Sequence, residues 1–496
     1  MGFLQKLGVG ALAGQEDDHS YQPLLPPSSE LLSEPTAMGK KLGTLRAVWL
    51  VTCCCIGSFL FAYDTGIVGG VLSLSSFERD FGYTAAQKTN VNSTAVSILQ
   101  AGAFFGCFLI WPITNRLGRR YSLILCSITF CIGTTLQTIN THSLGCFYAG
   151  RVISGLGVGG VTVLVPIFSA EMAPKEIRGK LGSCFQLFFA VGVCLSYWVD
   201  YIVDVAVSSD KSAQWQIPVG LQFVPGFLVG FGMLFVKESS RWLVKKGRYQ
   251  EAFKNLKWVR GGEDTDVLRA EFAEIQAGIE EELRQTEGLT LKELWLPANR
   301  YRVFISITIQ LCAQLTGNTS LAYYAPQIFK AVGAGSESMF ITGFFGIVKI
   351  IGCATFITFF VEQFGRKKSF MLGAFAMGSF MLILALVVAT HTPKASGGVT
   401  SAGIAAIFII YAEAFSFNMS WGPLPWLYIG EIFPSRIREI GVGLGAASQW
   451  LFNFMMSQIT PHAIENIAWK TFLMFAIFNY AIIFYSHFIL KEVSDP

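Results

Sequence analysis

The chain has 496 residues, of which 52% are hydrophobic and only 14% are charged. Soluble domains average about 25% charged residues, so this composition excludes an ordinary soluble protein and indicates a polytopic membrane protein. The formal net charge of +4 is small, and no nucleotide motif, metal cluster or catalytic triad stands out in the sequence. We therefore expect no enzyme, no cofactor, no metal and no nucleic-acid partner.

Residues 1–45 are polar and rich in Pro, Ser and Glu, which predicts a disordered tail without a cleavable signal peptide. Apolar windows of membrane-helix length then follow in chain order. A charged, helix-prone loop at 237–300 divides the chain into six-helix bundles at 46–236 and 301–490, with a short tail at 491–496. The twelve predicted helices, helix 1 to helix 12, cover 47–70, 94–113, 121–140, 147–170, 182–203, 217–236, 301–325, 338–362, 369–390, 403–430, 441–461 and 469–490.

The distribution of Lys and Arg predicts how these helices are oriented. The short loops on the side of the two termini carry fifteen Lys and Arg residues, and those on the other side carry five. Because positive charge is retained in the cytoplasm, we expect both termini and the 237–300 loop to be cytoplasmic. We expect a multi-pass protein of the plasma membrane, monomeric in the lipid bilayer.

The two halves of the chain repeat their loop motifs. The segment "NRLGRR" (115–120) follows helix 2, and "EQFGRKK" (362–368) follows helix 8. In the same way "AEMAPKEIRGK" (170–180) follows helix 4, and "GEIFPSRIRE" (430–439) follows helix 10. A duplicated six-helix unit of this kind places its ligand near the bilayer midplane, between the halves.

These motifs resemble the sugar porter family of the major facilitator superfamily over residues 45–490. "FAYDTG" (61–66), "GRVISGLGVGG" (150–160) and "SWGPLPWLYIGEIFPSRIR" (420–438) carry the resemblance, together with "QLTG…YYAPQIF" in helix 7. It implies an all-α membrane fold of twelve helices in two pseudo-symmetric bundles, which moves a polyhydroxylated small molecule with or without protons. It also implies gating contacts for Arg116, Arg119, Arg120, Glu171, Arg178, Glu362, Arg366, Glu431 and Arg436.

Three loop motifs depart from the family pattern. The helix 2–3 motif has Asn115 in place of the usual Asp, "PESPRWL" reads "KESSRWL" (237–243), and the closing "PET" reads "KEV" (491–493). The departures concern gating contacts more than the fold.

Asp64 in the outer half of helix 1 and Arg151 near the outer end of helix 4 are opposite charges at similar depth. Protonation of Asp64 would release Arg151, and deprotonation would restore the pair, which makes a proton-biased switch. The matching Asp and Arg have this role in proton-coupled sugar porters. The alternative is a static ion pair that only fixes helix packing.

Substrate contacts are implied at amide and aromatic positions. Gln186, Gln314, Gln449 and Trp426 match sugar-contact positions of the family. Helical spacing places Gln310, Gln314, Gly317 and Tyr324 on one face of helix 7, and Gln449, Asn453 and Thr460 on one face of helix 11. The alternatives are polar side chains that join helices away from substrate and, for Trp426, core packing.

Three amide positions of the hexose and pentose carriers have changed, to Ala313, Thr319 and Val193. A neutral hexose would lose hydrogen-bond partners at these positions, at about 1–3 kcal/mol for each unpaired group.

Lys349 interrupts the apolar stretch "TGFFGIVKIIGC" (342–353), where many sugar carriers have a sugar-binding Asn. It shares a helix face with Thr342, Gly346 and Cys353, so we expect its ammonium group to face the bundle interior. A cation in place of amides favours an anionic substrate, a sugar or sugar acid of the galacturonate or quinate type, as in fungal-type quinate carriers. Glu413 in helix 10 is a rival partner at similar depth, and the two partners could alternate.

Other interpretations stay open. A neutral hexose or pentose symporter or facilitator, and a non-transporting sugar receptor, are the alternatives. The sequon "NST" makes Asn92 a candidate glycosylation site in the first outer loop.

Overall fold

The computed structural model describes residues 36–172, 175–288, 291–334, 337–360, 365–391, 400–434 and 437–491. These residues form helices and connecting turns, without a β-strand in the described ranges. The predicted fold of twelve membrane helices is confirmed, although helix 1 begins at Ala37, inside the tail that we predicted to be disordered over residues 1–45. Helices 1 to 5 span Ala37–Val71, Lys88–Leu117, Arg119–Thr138, Leu144–Met172 and Lys175–Ala206.

Four of the remaining helices are continuous and three are interrupted. Helix 8 spans Ser338–Thr355, helix 9 spans Arg366–Thr390, helix 11 spans Arg438–Ile467 and helix 12 spans Lys470–Phe488. Helix 6 consists of Ala213–Leu221 and Phe223–Leu234, helix 7 of Pro297–Leu315, Asn318–Tyr323 and Ala325–Phe329, and helix 10 of Ser401–Asn418 and Leu424–Ile432.

Ten of the described helices are long and apolar enough to cross a membrane by length and composition alone. The other two are helix 7, which is broken into short segments, and helix 11, which contains many polar residues. We call the end of the bundle at which helix 1 begins the inner end, and the opposite end the outer end.

The glycine-rich stretch of helix 4 serves close packing. A Cβ atom at Gly155 would lie 2.2 Å from the Leu99 carbonyl oxygen, and one at Gly159 would lie 2.1 Å from the Ala103 carbonyl oxygen. Helices 2 and 4 therefore touch backbone to backbone, which is the role of small residues in membrane helix pairs.

Helix 2 packs along helix 11, and helix 5 packs along helix 8, so these two pairs join the N-terminal and C-terminal halves. The second pair is close because helix 8 presents glycine there: a Cβ at Gly346 would lie 2.6 Å from the Cys194 Cα atom. A Cβ at Gly343 would lie 2.9 Å from the Trp198 ring.

Besides a 3-10 turn at Leu291–Trp295, the loop between the halves forms three α-helices at the inner end, Ser240–Lys245, Tyr249–Val259 and Asp266–Thr286. They bury their own small core around Leu243, Leu268 and Phe272. The start of helix 1 is attached to this unit, because Arg46 lies over the Trp258 ring at 4.8 Å and donates to the Trp258 carbonyl oxygen at 2.6 Å.

Candidate functional site

Asp64 and Arg151 form a buried ion pair. Arg151 Nη1 donates to Asp64 Oδ1 at 2.7 Å, and each side chain is 1% exposed. Arg151 Nε also donates to the Ala95 carbonyl oxygen at 3.0 Å, so helix 2 holds the guanidinium in place. The second carboxylate oxygen of Asp64 has no hydrogen-bond partner among the described residues. The predicted meeting of the two charges is therefore confirmed, and one carboxylate oxygen is free to take a proton.

Two tyrosines of helix 7 lie beside this pair. Tyr323 is close enough to interact electrostatically with Asp64, and Tyr324 with Arg151. The Tyr324 hydroxyl donates to the Ser457 carbonyl oxygen at 2.7 Å, and Asn453 Nδ2 donates to the Tyr323 hydroxyl at 3.3 Å. The pair in the N-terminal half is thus adjacent to a network that joins helices 7 and 11 in the C-terminal half.

Helix 7 breaks at the middle of the bundle, where we expected one continuous helix over 301–325. Its first segment ends at Leu315, and Gly317 adopts a left-handed conformation with φ +93°. The predicted common face of Gln310, Gln314 and Gly317 with Tyr324 is therefore wrong beyond residue 315, because the break changes the helical phase. Only a residue without Cβ adopts this conformation without strain, so the glycine creates the break.

Lys349 faces the bundle interior, as its helical spacing predicts. Its side chain is buried, with 5% exposure for the residue, together with Thr342, Gly346 and Cys353. Its ammonium lies 5.1 Å from the centre of the Phe345 ring, one turn toward the outer end. Among the described residues, no oxygen forms a hydrogen bond or ion pair with Lys349 Nζ. A buried ammonium in this state is ready for an anionic partner, because burial without one is costly.

Glu413, the rival partner, is held by a different residue. Asn318 Nδ2, just after the break in helix 7, donates to Glu413 Oε2 at 2.9 Å. Glu413 Oε1 is buried without a hydrogen-bond partner in the described part of the chain. Glu413 and Lys349 interact electrostatically but form no ion pair within 4.0 Å. Helices 7, 8 and 10 thus bring together an acid, an amide and an ammonium. The acid and the amide are hydrogen-bonded, and among the described residues the ammonium is bonded to neither.

The other candidates differ in exposure along the bundle. Gln314, Tyr324 and Asn453 are buried, whereas Thr319 and three residues nearer the inner end, Gln186, Trp426 and Gln449, are partly exposed. The amide oxygens of Gln314 and Gln449 are buried without a hydrogen-bond partner among the described residues. They can accept hydrogen bonds from a ligand hydroxyl.

Aromatic side chains line the region near Gln186 and Gln449. Phe61 packs against Phe189 with ring centres 5.0 Å apart and meets Trp450 edge to face at 6.2 Å. Trp426 packs against the same cluster. Flat apolar faces of this kind suit the apolar side of a cyclic polyol.

The outer end of the bundle is closed. Four hydrogen bonds between described residues of the two halves lie toward this end. Tyr197 Oη donates to the Ala322 carbonyl oxygen at 2.7 Å, and Gln327 Nε2 donates to the Gly69 carbonyl oxygen at 3.0 Å. The other two join Ser97 to Gln458 at 2.8 Å and Gln100 to Ser457 at 3.3 Å. The candidates nearer the inner end are partly exposed, so the described contacts between the halves close the outer end of the bundle.

The gating residues pair within each half. Arg119 Nη2 contacts Glu171 Oε1 at 2.9 Å, and Arg366 Nη2 contacts Glu431 Oε1 at 3.1 Å at the equivalent place in the second half. Arg120 donates to the Met233 and Leu234 carbonyl oxygens at the end of helix 6. Arg116 is exposed. Glu362, Arg436 and the side chain of Arg178 lie outside the described residues.

Glu238, from the altered "KESSRWL" motif, caps the start of helix 3. Its carboxylate accepts hydrogen bonds from the backbone N–H groups of Arg119 at 2.9 Å and Arg120 at 3.1 Å. Burial raises the pKa of Glu238, although these N–H groups and the Arg119 charge oppose the increase. The acid of the motif thus keeps a structural role in this chain.

A family model, sugar (and other) transporter, matches residues 50–495. The chain belongs to this transporter family. A probable quinate permease of Aspergillus fumigatus is 33% identical over 470 residues, which cover 91% of this chain and 85% of that protein. A quinate permease of Emericella nidulans is 31% identical over 463 residues, with 90% and 85% covered. The transporter is thus a membrane protein of a family that carries sugar-like small molecules.

Solved structures agree with the fold of the transporter. The xylose transporter XylE from E. coli, in a partially occluded inward-open conformation, superposes with a TM-score of 0.77 at 23% identity. The match covers 91% of this chain and 99% of that one. XylE bound to 6-bromo-6-deoxy-D-glucose gives 0.74 at 24% identity, with 91% and 98% covered. The prediction of the major facilitator fold is confirmed.

Asn92 does not lie in a loop. It belongs to helix 2 of the transporter, which begins at Lys88, and it is 8% exposed. The expected outer loop is shorter than the hydropathy window indicates, because the polar first turns of helix 2 continue into it. The folded transporter therefore does not present this amide to a glycan.

Several polar residues of the transporter were not singled out from the sequence. Gln100, Tyr323 and Ser457 join helices 2, 7 and 11. Asn318 holds Glu413. Gln222, at the break in helix 6, lies close to Asp64. Their common signal is a polar residue inside an apolar window, but the sequence does not tell which of them meet.

Proposed function

We propose that the transporter is a proton-coupled symporter of a carboxylated polyol, of the galacturonate or quinate type. The observation that carries the proposal is Lys349, a buried ammonium without a hydrogen-bond or ion-pair partner among the described residues. A substrate carboxylate would give it a charge-assisted hydrogen bond. The quinate permeases among the relatives support the same substrate class.

Hydroxyl groups of the substrate have further partners in the same region. The Gln314 and Gln449 amide oxygens lack partners, and Gln186 and Thr319 are partly exposed. Trp426, Tyr324 and Asn453 complete the proposed substrate site. The substrate would therefore bind by its carboxylate at helix 8 and by its hydroxyls at helices 5, 7 and 11.

Proton coupling is supported by the buried pair of Asp64 and Arg151. Because Oδ2 of Asp64 has no hydrogen-bond partner in the described part of the chain, it can receive a proton without first losing a hydrogen bond. Protonation weakens the ion pair and changes its electrostatic interaction with Tyr323 and Tyr324. The proposed cycle alternates between a conformation that is closed at the outer end, as in this structure, and one in which the contacts at the outer end are broken.

Localisation belongs to the same proposal. The excess of Lys and Arg at the inner end favours a plasma-membrane protein with cytoplasmic termini. We propose that it is a monomer. The Arg119–Glu171 and Arg366–Glu431 ion pairs would act as its inner gates.

One observation favours the alternative of a neutral hexose or pentose as substrate. Glu413 is close enough to interact electrostatically with Lys349. If Glu413 neutralises the ammonium throughout the cycle, no substrate carboxylate is required.

Uptake in a host without its own carriers distinguishes the two substrates. We expect uptake of quinate or galacturonate, in excess of glucose and xylose, and loss of that uptake in Lys349→Met. Lys470→Met is the matched control, because Lys470 is exposed at the start of helix 12. Uptake of neutral sugars alone, unchanged in Lys349→Met, would refute the carboxylated substrate.

A further inference from the structure

A second buried acid, Asp200, has no role in the proposed cycle. It lies on helix 5, six residues before that helix ends at Ala206, and it is 2% exposed. Neither of its carboxylate oxygens has a hydrogen-bond partner among the described residues. A carboxylate in its charged form is very unfavourable in such a place, so the closed conformation favours the neutral acid.

No positively charged group in the described part of the chain interacts with Asp200. Helix 1 packs directly on the carboxyl group, since a Cβ atom at Gly70 would lie 2.0 Å from Asp200 Oδ2. The ionisable groups that interact with it are Tyr63 from helix 1, and Tyr197 and Asp204 from helix 5. These are phenols and a second acid.

Asp204 connects the site to the outer solution. It is exposed one helical turn beyond Asp200, and Gln214 from helix 6 donates to its Oδ1 atom at 3.5 Å. An exposed acid one turn from a buried one can pass protons between the outer solution and the interior.

The cover over Asp200 consists of contacts between the two halves. Tyr197, one turn before Asp200, donates to the Ala322 carbonyl oxygen of helix 7 at 2.7 Å. Gly69, the neighbour of Gly70, accepts a hydrogen bond from Gln327, and a Cβ at Gly69 would lie 2.2 Å from the Tyr323 carbonyl oxygen. These contacts must break when the outer end opens, and water then reaches the region of Asp200.

We propose that Asp200 is a second proton-binding site of the transporter, which exchanges protons with the outer solution when the outer end is open and holds a proton when that end is closed. Proton binding and closure of the outer end are then linked, because only the neutral acid fits the closed conformation. The site requires neither Asp64 nor a particular substrate, so it goes beyond the proposed function and stands or falls separately from it.

Infrared titration of the purified full-length transporter tests the site without any substrate. We expect the parent to show a buried, protonated carboxyl band that disappears as the pH rises and is missing in Asp200→Asn. Hydrogen exchange of residues 318–329, corrected for the intrinsic effect of pH, reports the opening. We expect opening in the parent to increase about five- to 150-fold with pH, the usual range of such linkage, and in Asp200→Asn to lose this dependence.

Asp210→Asn, in an exposed outer loop, is the matched control, which leaves the buried carboxyl band in place. The proposal is overturned if Asp200→Asn keeps the parent's band or the parent's pH dependence of opening. If Asp200→Asn does not fold, the triple variant Asp64→Asn/Glu413→Gln/Glu238→Gln removes the buried acids of helices 1 and 10 and of the segment after helix 6. A titrating buried band that remains there supports the site, and its absence overturns it.

Discussion

Arg151 Nη1 and Asp64 Oδ1 lie 2.7 Å apart in a pair that is 1% exposed on both sides, and two tyrosines of helix 7 lie against it. Helix 7, which lies against this pair, also contacts helix 1 through its outer part, where Gln327 donates to the Gly69 carbonyl oxygen. In the proposed cycle, neighbouring side chains therefore connect proton binding at this pair with movement of the halves.

Asp64→Asn should separate proton coupling from movement of the substrate. The amide imitates the protonated carboxyl group, so the pair can no longer change its charge. We expect substrate accumulation driven by a pH gradient in liposomes to be lost, while counterflow exchange of labelled substrate continues. Asp210→Asn, in an exposed outer loop, is the control and should accumulate substrate like the parent. Full accumulation in Asp64→Asn would mean that the pair is a static contact.

A double-mutant cycle tests whether Glu413 competes with the substrate carboxylate for the ammonium of Lys349. Lys349→Met should weaken binding of the carboxylated substrate by about 1.5–3 kcal/mol, the value of a hydrogen bond to a charged group. Glu413→Gln removes a competing negative charge, so we expect it to tighten binding when Lys349 is present and to have no effect in Lys349→Met. Binding is measured by calorimetry. Equal effects of Glu413→Gln in both backgrounds would show that the two residues act independently.

Gly317→Ala should destabilise the break in helix 7. The residue has φ +93°, and a Cβ atom there would lie 2.8 Å from Phe475 Cγ in helix 12. Left-handed backbone alone costs a residue with Cβ about 1–2 kcal/mol, so we expect a lower Tm and slower transport. Gly430→Ala is the control, because a Cβ at Gly430 meets no atom within 4 Å. A Tm of Gly317→Ala equal to that of Gly430→Ala would contradict the importance of the break.

The segment Ser75–Phe81, which follows helix 1 at the outer end and contains Asp80, should lose stability at low pH, because Asp80 becomes protonated. This carboxylate accepts hydrogen bonds from Trp215 Nε1 at 2.8 Å, Asn140 Nδ2 at 3.0 Å and Arg79 Nη2 at 2.7 Å. Burial alone would raise the pKa of Asp80, but hydrogen bonds from Ser212, Trp215 and Arg79 outweigh it and lower the pKa below its ordinary value. Its stabilisation is therefore present above the unfolded-state pKa of about 3.9 and is lost as the pH falls through the folded-state pKa.

Tm measured between pH 7 and pH 3 checks this sign. We expect Asp80→Asn to lower Tm at pH 7 and the difference from the parent to shrink as the pH falls below about 4. Asp210→Asn serves again as the control on the same face. A difference between parent and Asp80→Asn that is as large at pH 3 as at pH 7 would be the opposite result.

Much of the fold follows from the sequence, because a membrane helix needs a long apolar run and leaves an obvious signal. The inward direction of Lys349 was also predictable, since small residues at 342, 346 and 353 contrast with the exposed Phe344 and Ile351 on the other sides. The pairing of Asp64 with Arg151 required only that two lone charges lie at similar depth. In each case a local pattern determines the result.

Partners across three helices were not predictable in this way. Glu413 binds Asn318 because the break at Gly317 redirects the chain, and an apolar window hides that break. Asp200 lies near the end of predicted helix 5, where an acid usually reaches water, yet helix 1 covers it through Gly70. Hydropathy predicts that Asn92 lies in a loop, whereas the structure has it in helix 2. These outcomes depend on which helices lie close together in the folded protein.

Proton influx caused by substrate tests the central claim most directly. Purified transporter is placed in liposomes that contain a pH-sensitive dye, and quinate or galacturonate is added outside, with glucose and xylose in parallel. We predict that the acidic substrate acidifies the interior, and that Asp64→Asn and Lys349→Met abolish the signal while Lys470→Met retains it. Transport of either acid without proton movement, or proton influx with neutral sugars alone, would contradict the account.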